Sequence, residues 1–279
     1  MPDATACAVR DPAPPCRLPF SLQNIPKARF AMRVVHPWYQ LGYIIPHLYT
    51  DMDAYQFYRV APDGMVLVTT GLNLTEYSLA AVERELPALW ERFDLLAKKK
   101  VDRISLSGVP VAAALGRPKM LAILAAAEAR TGLLCDTDLE AHIAALKHLR
   151  ATRIALATRW PEAVNTALIR YLSDAGIEVL ACRSRQRTLA QNKLAIAAED
   201  HLLALELGGE VLAATPAAQA LLMPGGLWFA IHAAPELEAA YGRPVLLNIT
   251  STTWAALHAA GPRMLHRPDP RWGKVMASV

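Results

Sequence analysis

The sequence is poor in cysteine and lacks long apolar runs. Four cysteines occur in 279 residues, with no CxxC pair and no His/Cys cluster at zinc spacing. A disulfide framework and a zinc site are therefore not expected, and a reducing cytoplasm is the expected compartment. No stretch of about 20 residues is uniformly apolar, which argues against a membrane span. The N-terminal residues also lack the basic start and apolar run of a secretory signal.

Basic residues are not gathered into a clear patch. The formal net charge is +4, charged residues make up 19% of the chain, and the one short lysine cluster spans residues 98–100. Such a cluster at a helix end usually complements the helix dipole. A nucleic-acid-binding protein normally shows a clearer basic patch, so nucleic acid is not an expected partner. The mild positive charge is compatible with an acidic small molecule as partner.

Several catalytic and nucleotide-binding motifs are also missing. The sequence contains no GxGxxG after a strand, no GxxxxGK[ST], no HExxH and no GxSxG. Dinucleotide, nucleotide, zinc-protease and serine-hydrolase functions therefore lack their usual apparatus, and we expect no cofactor and no metal. The segment 224–226 (Pro-Gly-Gly) allows two interpretations. It is either a tight strand-to-helix turn or a pair of backbone N–H groups aimed at an anion.

What the sequence does contain is an alternation of short apolar runs and longer segments with helical spacing. Hydrophobic residues make up 53% of the chain, mostly alanine and leucine. Strands alternating with helices indicate βαβ units and therefore an α/β fold with parallel sheets. The predicted strands are 41–45, 65–70, 102–106, 153–158, 177–181, 220–223 and 244–248. The predicted helices are 75–97, 117–131, 138–150, 161–175, 189–207, 231–241 and 251–260.

The chain divides into a proline-rich arm and two lobes. Residues 1–30 carry prolines throughout and show no periodicity, so the arm is either disordered or wrapped around a neighbouring subunit of a homo-oligomer. Segments 104–130 and 220–241 share one plan of strand, small residues, turn and helix, as two related lobes would. We expect 31–150 with 250–279 to form lobe 1, and 151–249 to form lobe 2.

Three segments carry a resemblance to a known family: 101–110, 153–165, and 220–228 continued by 235–245. In order and spacing, they resemble the arylmalonate decarboxylase and maleate isomerase branch of the aspartate/glutamate racemase superfamily, over residues 41–261. The resemblance implies two pseudo-symmetric lobes, each a four-stranded parallel sheet flanked by helices. It also implies an active site between the lobes that acts on a small carboxylic acid.

The resemblance implies a catalytic cysteine at two positions in the racemases and at the second position only in the decarboxylase, and this sequence has none at either. By the resemblance, the first position falls on Gly108 and the second on Pro224, while Cys135 and Cys182 match structural positions. The hydroxyl pair after the first position becomes Val109 followed by a proline. Racemisation, isomerisation through a cysteine adduct and protonation of carbon by a thiol are therefore not expected here.

Four residues are candidates for catalysis, and each has a simpler alternative. Lys193 matches an apolar pocket position of the decarboxylase, but it is otherwise a solvated helix lysine. His47 is either an acid or base near neutral pH or a loop histidine. Glu76 is either a general acid/base or a helix-start acid serving the dipole. Tyr77 lies beside it and is a further proton donor.

The remaining candidates bind substrate. Arg159 is either a bidentate carboxylate clamp or a surface cation. The other positions follow from the resemblance or from their place after a predicted strand: Pro46, Leu74, Val109, Trp160, Pro224, Gly225 and Gly226.

The predicted function is that of a cofactor-independent decarboxylase, a carbon–carbon lyase of aromatic acid catabolism that acts on an aryl-substituted carboxylic acid. Without a thiol to protonate carbon, the reaction expected is decarboxylative elimination of a leaving group on the β carbon. Two alternatives stay open: a non-catalytic protein that binds small acids, and a hydratase or isomerase of unsaturated acids.

Overall fold

The computed structural model describes residues 36–49, 51–194 and 197–279, which contain two four-stranded parallel sheets. The first sheet has the order β2-β1-β3-β4, and the second has the order β6-β5-β7-β8. The two orders are equivalent, so the predicted pair of similar parallel-sheet lobes is confirmed. The strands are β1 (Tyr39–Ile45), β2 (Met65–Gly71), β3 (Arg103–Leu106), β4 (Cys135–Thr137), β5 (Arg153–Thr158), β6 (Glu178–Ser184), β7 (Ala220–Met223) and β8 (Val245–Leu247).

Eleven α-helices flank these sheets in the described part of the chain. Their ends follow ordinary capping chemistry: the Ser78 hydroxyl accepts the Ala81 N–H at the start of α2, and Gly132 ends α4 with a left-handed backbone. The helices are α1 (Met52–Val60), α2 (Leu79–Lys99), α3 (Val109–Leu115), α4 (Arg117–Thr131), α5 (Asp138–His148), α6 (Glu162–Ser173), α7 (Leu189–Lys193), α8 (Ala197–Ala214), α9 (Ala233–Tyr241), α10 (Asn248–Ala260) and α11 (Lys274–Ala277).

The structure differs from the predicted elements in five places, apart from shifts of a few residues at element ends. The helix predicted over 189–207 is two helices, α7 and α8, and the second runs on to Ala214. Helices α1, α3 and α11 and strand β4 were not predicted. Of these, α3, α11 and β4 have only seven, four and three residues, too few for a periodic pattern to emerge.

The lobe assignment is compatible with the sheets, whose strands lie within 39–137 and 153–247. Helix α10 packs mainly against α5 and α1, which belong to the first half of the chain. The lobe boundaries stay a prediction, and the predicted arm at residues 1–30 lies outside the described residues.

In the described ranges no single helix is long and apolar enough to cross a membrane. The pair α3 and α4 passes that test together, but it is bent by 109°.

Candidate active site

A cavity lies where strands of both sheets end. Its lining comes from the segments that follow β1, β2, β3, β5 and β7, together with the start of α1. In parallel sheets, ligands bind at the carboxyl ends of the strands, and this cavity occupies that place in both sheets at once. The lining residues are Pro46, His47, Asp53, Leu74, Tyr77, Ser107, Gly108, Val109, Pro110, Val111, Arg159, Trp160, Gly225, Gly226 and Leu227.

The structure brings most of the residues predicted from the sequence together in this cavity. Two catalytic candidates, His47 and Tyr77, line it. So do seven substrate-binding candidates: Pro46, Leu74, Val109, Arg159, Trp160, Gly225 and Gly226. The predicted place of the site, after the strands of two lobes, therefore agrees with the observed geometry.

Three predicted residues are placed elsewhere. The Lys193 side chain is exposed, whereas its neighbour Asn192 is, with Leu189, one of the two buried residues of α7. Glu76 is also exposed and accepts a hydrogen bond from the Ser78 hydroxyl at 2.9 Å, beside the start of α2. Pro224 is buried at the end of β7, and it is Gly225 that reaches the cavity. For Glu76, the helix-start alternative describes the structure better than a catalytic role.

Arg159 is a buried cation at the cavity wall, 4% exposed. Its Nη1 donates to Asp200 Oδ2 at 2.7 Å, and its guanidinium lies 5.2 Å from the centre of the Trp228 ring. Arg187 donates to the other oxygen of Asp200 at 3.1 Å. Two arginines thus share one carboxylate, which leaves this cluster with a net positive charge. Burial lowers the pKa of Arg159, but a guanidinium keeps its proton in proteins, so the cluster attracts anions.

The Tyr77 hydroxyl receives two N–H donors. Asn192 Nδ2 donates to it at 3.2 Å, and the Trp160 indole, which can only donate, interacts with the same oxygen. Burial raises the pKa of Tyr77, whereas these two donors and the nearby Arg159 charge act to lower it. Because its lone pairs face N–H donors, the hydroxyl proton is available to an acceptor in the cavity.

His47 is neutral at physiological pH. Burial and, to a lesser extent, the Lys193 charge lower its pKa to about 4, whereas an interaction with the Leu74 backbone acts in the opposite direction. The predicted role of an acid poised near neutral pH therefore does not fit the structure. A neutral imidazole has one N–H donor and one acceptor nitrogen.

The backbone donors at the two strand ends are already used within the protein. The N–H of Gly225, expected from the sequence to bind an anion, donates to Asn248 Oδ1 at 2.8 Å. In the other lobe the N–H of Gly108 donates to Asp138 Oδ2 at 3.1 Å. Each acceptor is the first residue of the helix that follows the fourth strand of its own sheet. Of the predicted glycine pair, Gly226 is the one whose N–H is not committed to another described residue.

The two acceptors belong to one buried network that was not predicted from the sequence. Asn248 Nδ2 donates to Asp138 Oδ2 at 2.7 Å, and His142 Nε2 lies 2.9 Å from Asn248 Oδ1. His142 Nδ1 lies 2.9 Å from the Ser251 hydroxyl. Burial raises the pKa of Asp138 to about 6 and lowers that of His142 to about 4. The partners lie far apart in sequence, so no local pattern could have revealed them.

Asp53 is a second missed residue, a buried carboxylate at the cavity wall. It lies against Gly226, where a Cβ atom would collide with its carboxylate oxygens. Only glycine fits this approach. Asp53 lies in the first turn of the unpredicted helix α1, which begins after Asp51, whose carboxylate accepts the Met52 N–H at 2.6 Å. That capping residue was the signal in the sequence from which α1, and with it Asp53, could have been found.

Among the lining residues there is no cysteine. Cys135 lies buried in β4 and Cys182 lies in β6, and burial raises the pKa of both thiols. Within the described ranges, no three His, Cys, Asp or Glu side chains are grouped as metal ligands would be. The polar side chains that line the cavity among its apolar walls therefore include the Arg159 guanidinium, the Tyr77 hydroxyl, the neutral His47 imidazole and the Asp53 carboxylate.

Comparison with known proteins supplies a family for this fold and cavity. The arylmalonate decarboxylase family model matches residues 41–269. The chain is 27% identical over 210 residues to arylmalonate decarboxylase of Bordetella bronchiseptica, a match that covers 75% of this chain and 86% of that protein.

Solved structures agree with this match. A crystal structure of arylmalonate decarboxylase superposes with a TM-score of 0.71 at 25% identity, covering 85% of this chain and 99% of the other. A variant of maleate isomerase from Pseudomonas putida S16, crystallised with maleate, gives 0.73 at 21% identity and shows the same fold, covering 86% and 98%. Its relatives are enzymes, and by the family match this chain belongs to the arylmalonate decarboxylase family.

Proposed function

We propose that this protein is a cofactor-independent carboxy-lyase that removes CO2 from an aryl-substituted carboxylic acid. The observation that carries the proposal is the pairing, in one apolar cavity, of the buried Arg159 guanidinium with the Tyr77 hydroxyl beside it. Family membership supports a decarboxylase-like reaction. The absence of cysteine among the lining residues that the structure describes favours a reaction without protonation of carbon by a thiol.

The first step of the proposed reaction is capture of the acid. The net positive cluster of Arg159, Arg187 and Asp200 attracts a carboxylate towards the cavity. Inside, the carboxylate meets walls formed by Pro46, Leu74 and Val109, which offer few donors. A carboxylate that has lost its hydration is raised in free energy relative to the uncharged CO2 that it becomes.

The second step is a decarboxylative elimination. The bond between the α carbon and the carboxylate breaks, and its electron pair forms a double bond to the β carbon. The bond from the β carbon to an aryl ether oxygen breaks, and that oxygen takes the Tyr77 proton. Arg159 stabilises the tyrosinate until it regains a proton from water. The products are CO2, an alkene and a phenol, and no proton is added to carbon.

The test is to incubate the enzyme with 3-aryl-3-aryloxypropanoates and to measure CO2, alkene and phenol. Equal amounts of the three products are expected. Tyr77→Phe should lower kcat at least about 100-fold, the usual contribution of a positioned general acid. The exposed Tyr55→Phe is the matched control and should leave kcat unchanged.

A second variant pair tests acid capture. Arg159→Lys keeps the positive charge but loses the planar guanidinium with its paired N–H donors, and should raise KM about tenfold or more. Arg187→Lys changes the other partner of Asp200, which does not line the cavity, and should change KM little. Binding of the acids without any CO2 release would refute the lyase proposal in favour of a binding protein. Rearrangement of an unsaturated acid without CO2 release would favour an isomerase, as the maleate isomerase neighbours allow.

A further inference from the structure

We propose that Gln56 is a positioning residue, which fixes the loop of residues 225–231 and thereby holds the Arg159 guanidinium where a carboxylate binds. The inference deepens the proposed function and rests on it for the use of Arg159 in acid capture. Gln56 is not among the residues that line the cavity.

The Gln56 amide is bonded to a loop that follows the second sheet. Gln56 lies in α1, which follows β1 of the first sheet, and it is 3% exposed. Its Nε2 donates to the Trp228 carbonyl at 3.2 Å, and its Oε1 accepts the N–H groups of Ala230 and Ile231, both at 3.2 Å. One buried side chain therefore ties a helix after β1 to the loop after β7.

The loop that Gln56 holds forms part of the cavity wall. Residues 225–227 line the cavity, and the Trp228 N–H closes this turn by donating to the Gly225 carbonyl at 3.2 Å. Gln56 holds the end of the turn through the Trp228 carbonyl. Without the amide, that carbonyl and two buried N–H groups would lose their partner, which is costly enough to make the loop rearrange.

The same loop contacts Arg159. The centre of the Trp228 ring lies 5.2 Å from the guanidinium, and the indole N–H donates to the Asp200 carbonyl at 3.0 Å. The Phe229 N–H donates at 3.4 Å to Asp200 Oδ2, the oxygen that also accepts from Arg159 at 2.7 Å. Arg159 is thus held between the ring of one loop residue and a carboxylate that contacts the next. Because a shift of the loop would move both, the position of the guanidinium depends on Gln56.

A purely structural role for Gln56 would have a different consequence. Loss of its hydrogen bonds would then loosen the whole cavity and weaken the binding of charged and uncharged ligands to a similar extent. A positioning role predicts a selective loss instead. Binding that depends on the Arg159 charge should weaken, whereas binding to the apolar walls should not.

The test compares phenylacetate with phenylacetamide, which has nearly the same shape but no charge, in calorimetric titrations of the full-length protein. Wild type should bind the acid about tenfold tighter or more, because a hydrogen bond between two charged groups is stronger than one to a neutral amide. In Gln56→Met, which keeps the size of the side chain but loses all three hydrogen bonds, this ratio should fall about fivefold or more.

The lyase reaction gives a second measurement. In Gln56→Met the KM should rise about fivefold or more, while kcat should change less than about twofold. The reason is that the proton donor, Tyr77, is bonded to Asn192, which lies outside this loop.

Gln219→Met is the matched control. The Gln219 oxygen also accepts two backbone N–H groups, those of Thr152 and Arg153, but it lies outside the cavity, so the ratio should stay unchanged. Thermal melting shows whether each variant is folded. If Gln56→Met does not fold, the same ratio is measured in Gln56→Asn, whose amide is withdrawn from the loop by one methylene.

An unchanged ratio in a folded Gln56 variant would overturn the inference, as would an equal weakening of acid and amide, while CO2 release would leave the proposed function standing. A fall in the ratio without CO2 release from any acid would support the inference and contradict the proposed lyase. Wild type that binds the acid no tighter than the amide would contradict both, since Arg159 would then not capture the carboxylate.

Discussion

Asn248 Nδ2 donates to Asp138 Oδ2 at 2.7 Å, and this contact joins the first residues of α10 and α5. Each of the two side chains also accepts the N–H of a glycine at the cavity, Gly225 for Asn248 and Gly108 for Asp138. The two glycine corners are therefore held by a single buried hydrogen-bonded pair. We infer that this pair fixes the distance between the two halves of the cavity.

Replacing Asn248 should weaken the fold. In Asn248→Leu, the Gly225 N–H and the His142 ring lose their acceptor, and each buried donor left unpaired costs about 1–3 kcal/mol. We expect the free energy of unfolding, measured with urea, to fall by about 2–4 kcal/mol. A loss below about 0.5 kcal/mol, the scale of surface substitutions, would contradict the role given to this residue.

Asn248→Asp offers a sharper version of this experiment. It keeps an acceptor for Gly225 but places a second carboxylate against Asp138 in a buried site. Two buried carboxylates in contact repel each other when both are ionised, so the free energy of unfolding of the variant should be lowest near pH 8. This free energy should rise again towards pH 5, where the two carboxylates share a proton. Asn73→Asp, an exposed change, should show no such recovery.

His142 should make stability depend on pH. Its folded pKa is about 4 and its ordinary value is 6.5, so the unfolded chain binds a proton first as the pH falls. The stabilisation is complete above pH 6.5 and is lost as the pH falls towards 4, by about 3 kcal/mol in all. Urea unfolding of wild type and His142→Gln should therefore converge on acidification. A difference that stays constant from pH 7.5 to pH 4.5 would contradict this.

Asp200 should be needed to hold the two arginines. In Asp200→Asn the buried Arg159 loses its counter-charge, and breaking a buried ion pair costs about 3–5 kcal/mol. Glu206→Gln breaks an exposed pair with Arg185 and should cost under about 1 kcal/mol. Comparable losses in the two variants, measured by urea unfolding, would show that burial of the Arg159 pair does not matter.

Gly226→Ala should damage the cavity. Its Cβ would collide with the Asp53 carboxylate, and forcing a side chain into a packed site costs about 1–3 kcal/mol. We expect lower stability and loss of ligand binding by calorimetry. Gly209→Ala in α8 is the matched control, because the new Cβ would meet only the Tyr241 hydroxyl, at 3.3 Å. Normal ligand binding by Gly226→Ala would mean that the Asp53 contact does not shape the site.

Features that depend on a local sequence pattern, such as the ends of strands and helices, were predicted well. The bounds of β5, β7 and α4 were predicted to the residue, because an apolar run or a helical period ends there at a polar residue, a proline or a glycine. The site could be placed after the strands because parallel sheets bind ligands there. These rules need no knowledge of distant contacts.

What could not be predicted depends on helix phase or on long-range partners. Lys193 and Asn192 are adjacent, but one step along a helix turns a side chain by about 100°, so Asn192 is buried and Lys193 is exposed. The N–H of Gly225 looked free because its acceptor, Asn248, lies 23 residues further along the chain. The pKa of His47 likewise depends on burial that a sequence does not display.

The central claim is that CO2 leaves without a proton being added to carbon. Its most direct test is to run the reaction on 3-aryl-3-aryloxypropanoates in D2O and to analyse the products by NMR and mass spectrometry. We predict an alkene with no deuterium at the carbon that lost CO2, together with an equal amount of phenol. A saturated product carrying one deuterium at that carbon, with the aryl ether intact, would contradict it.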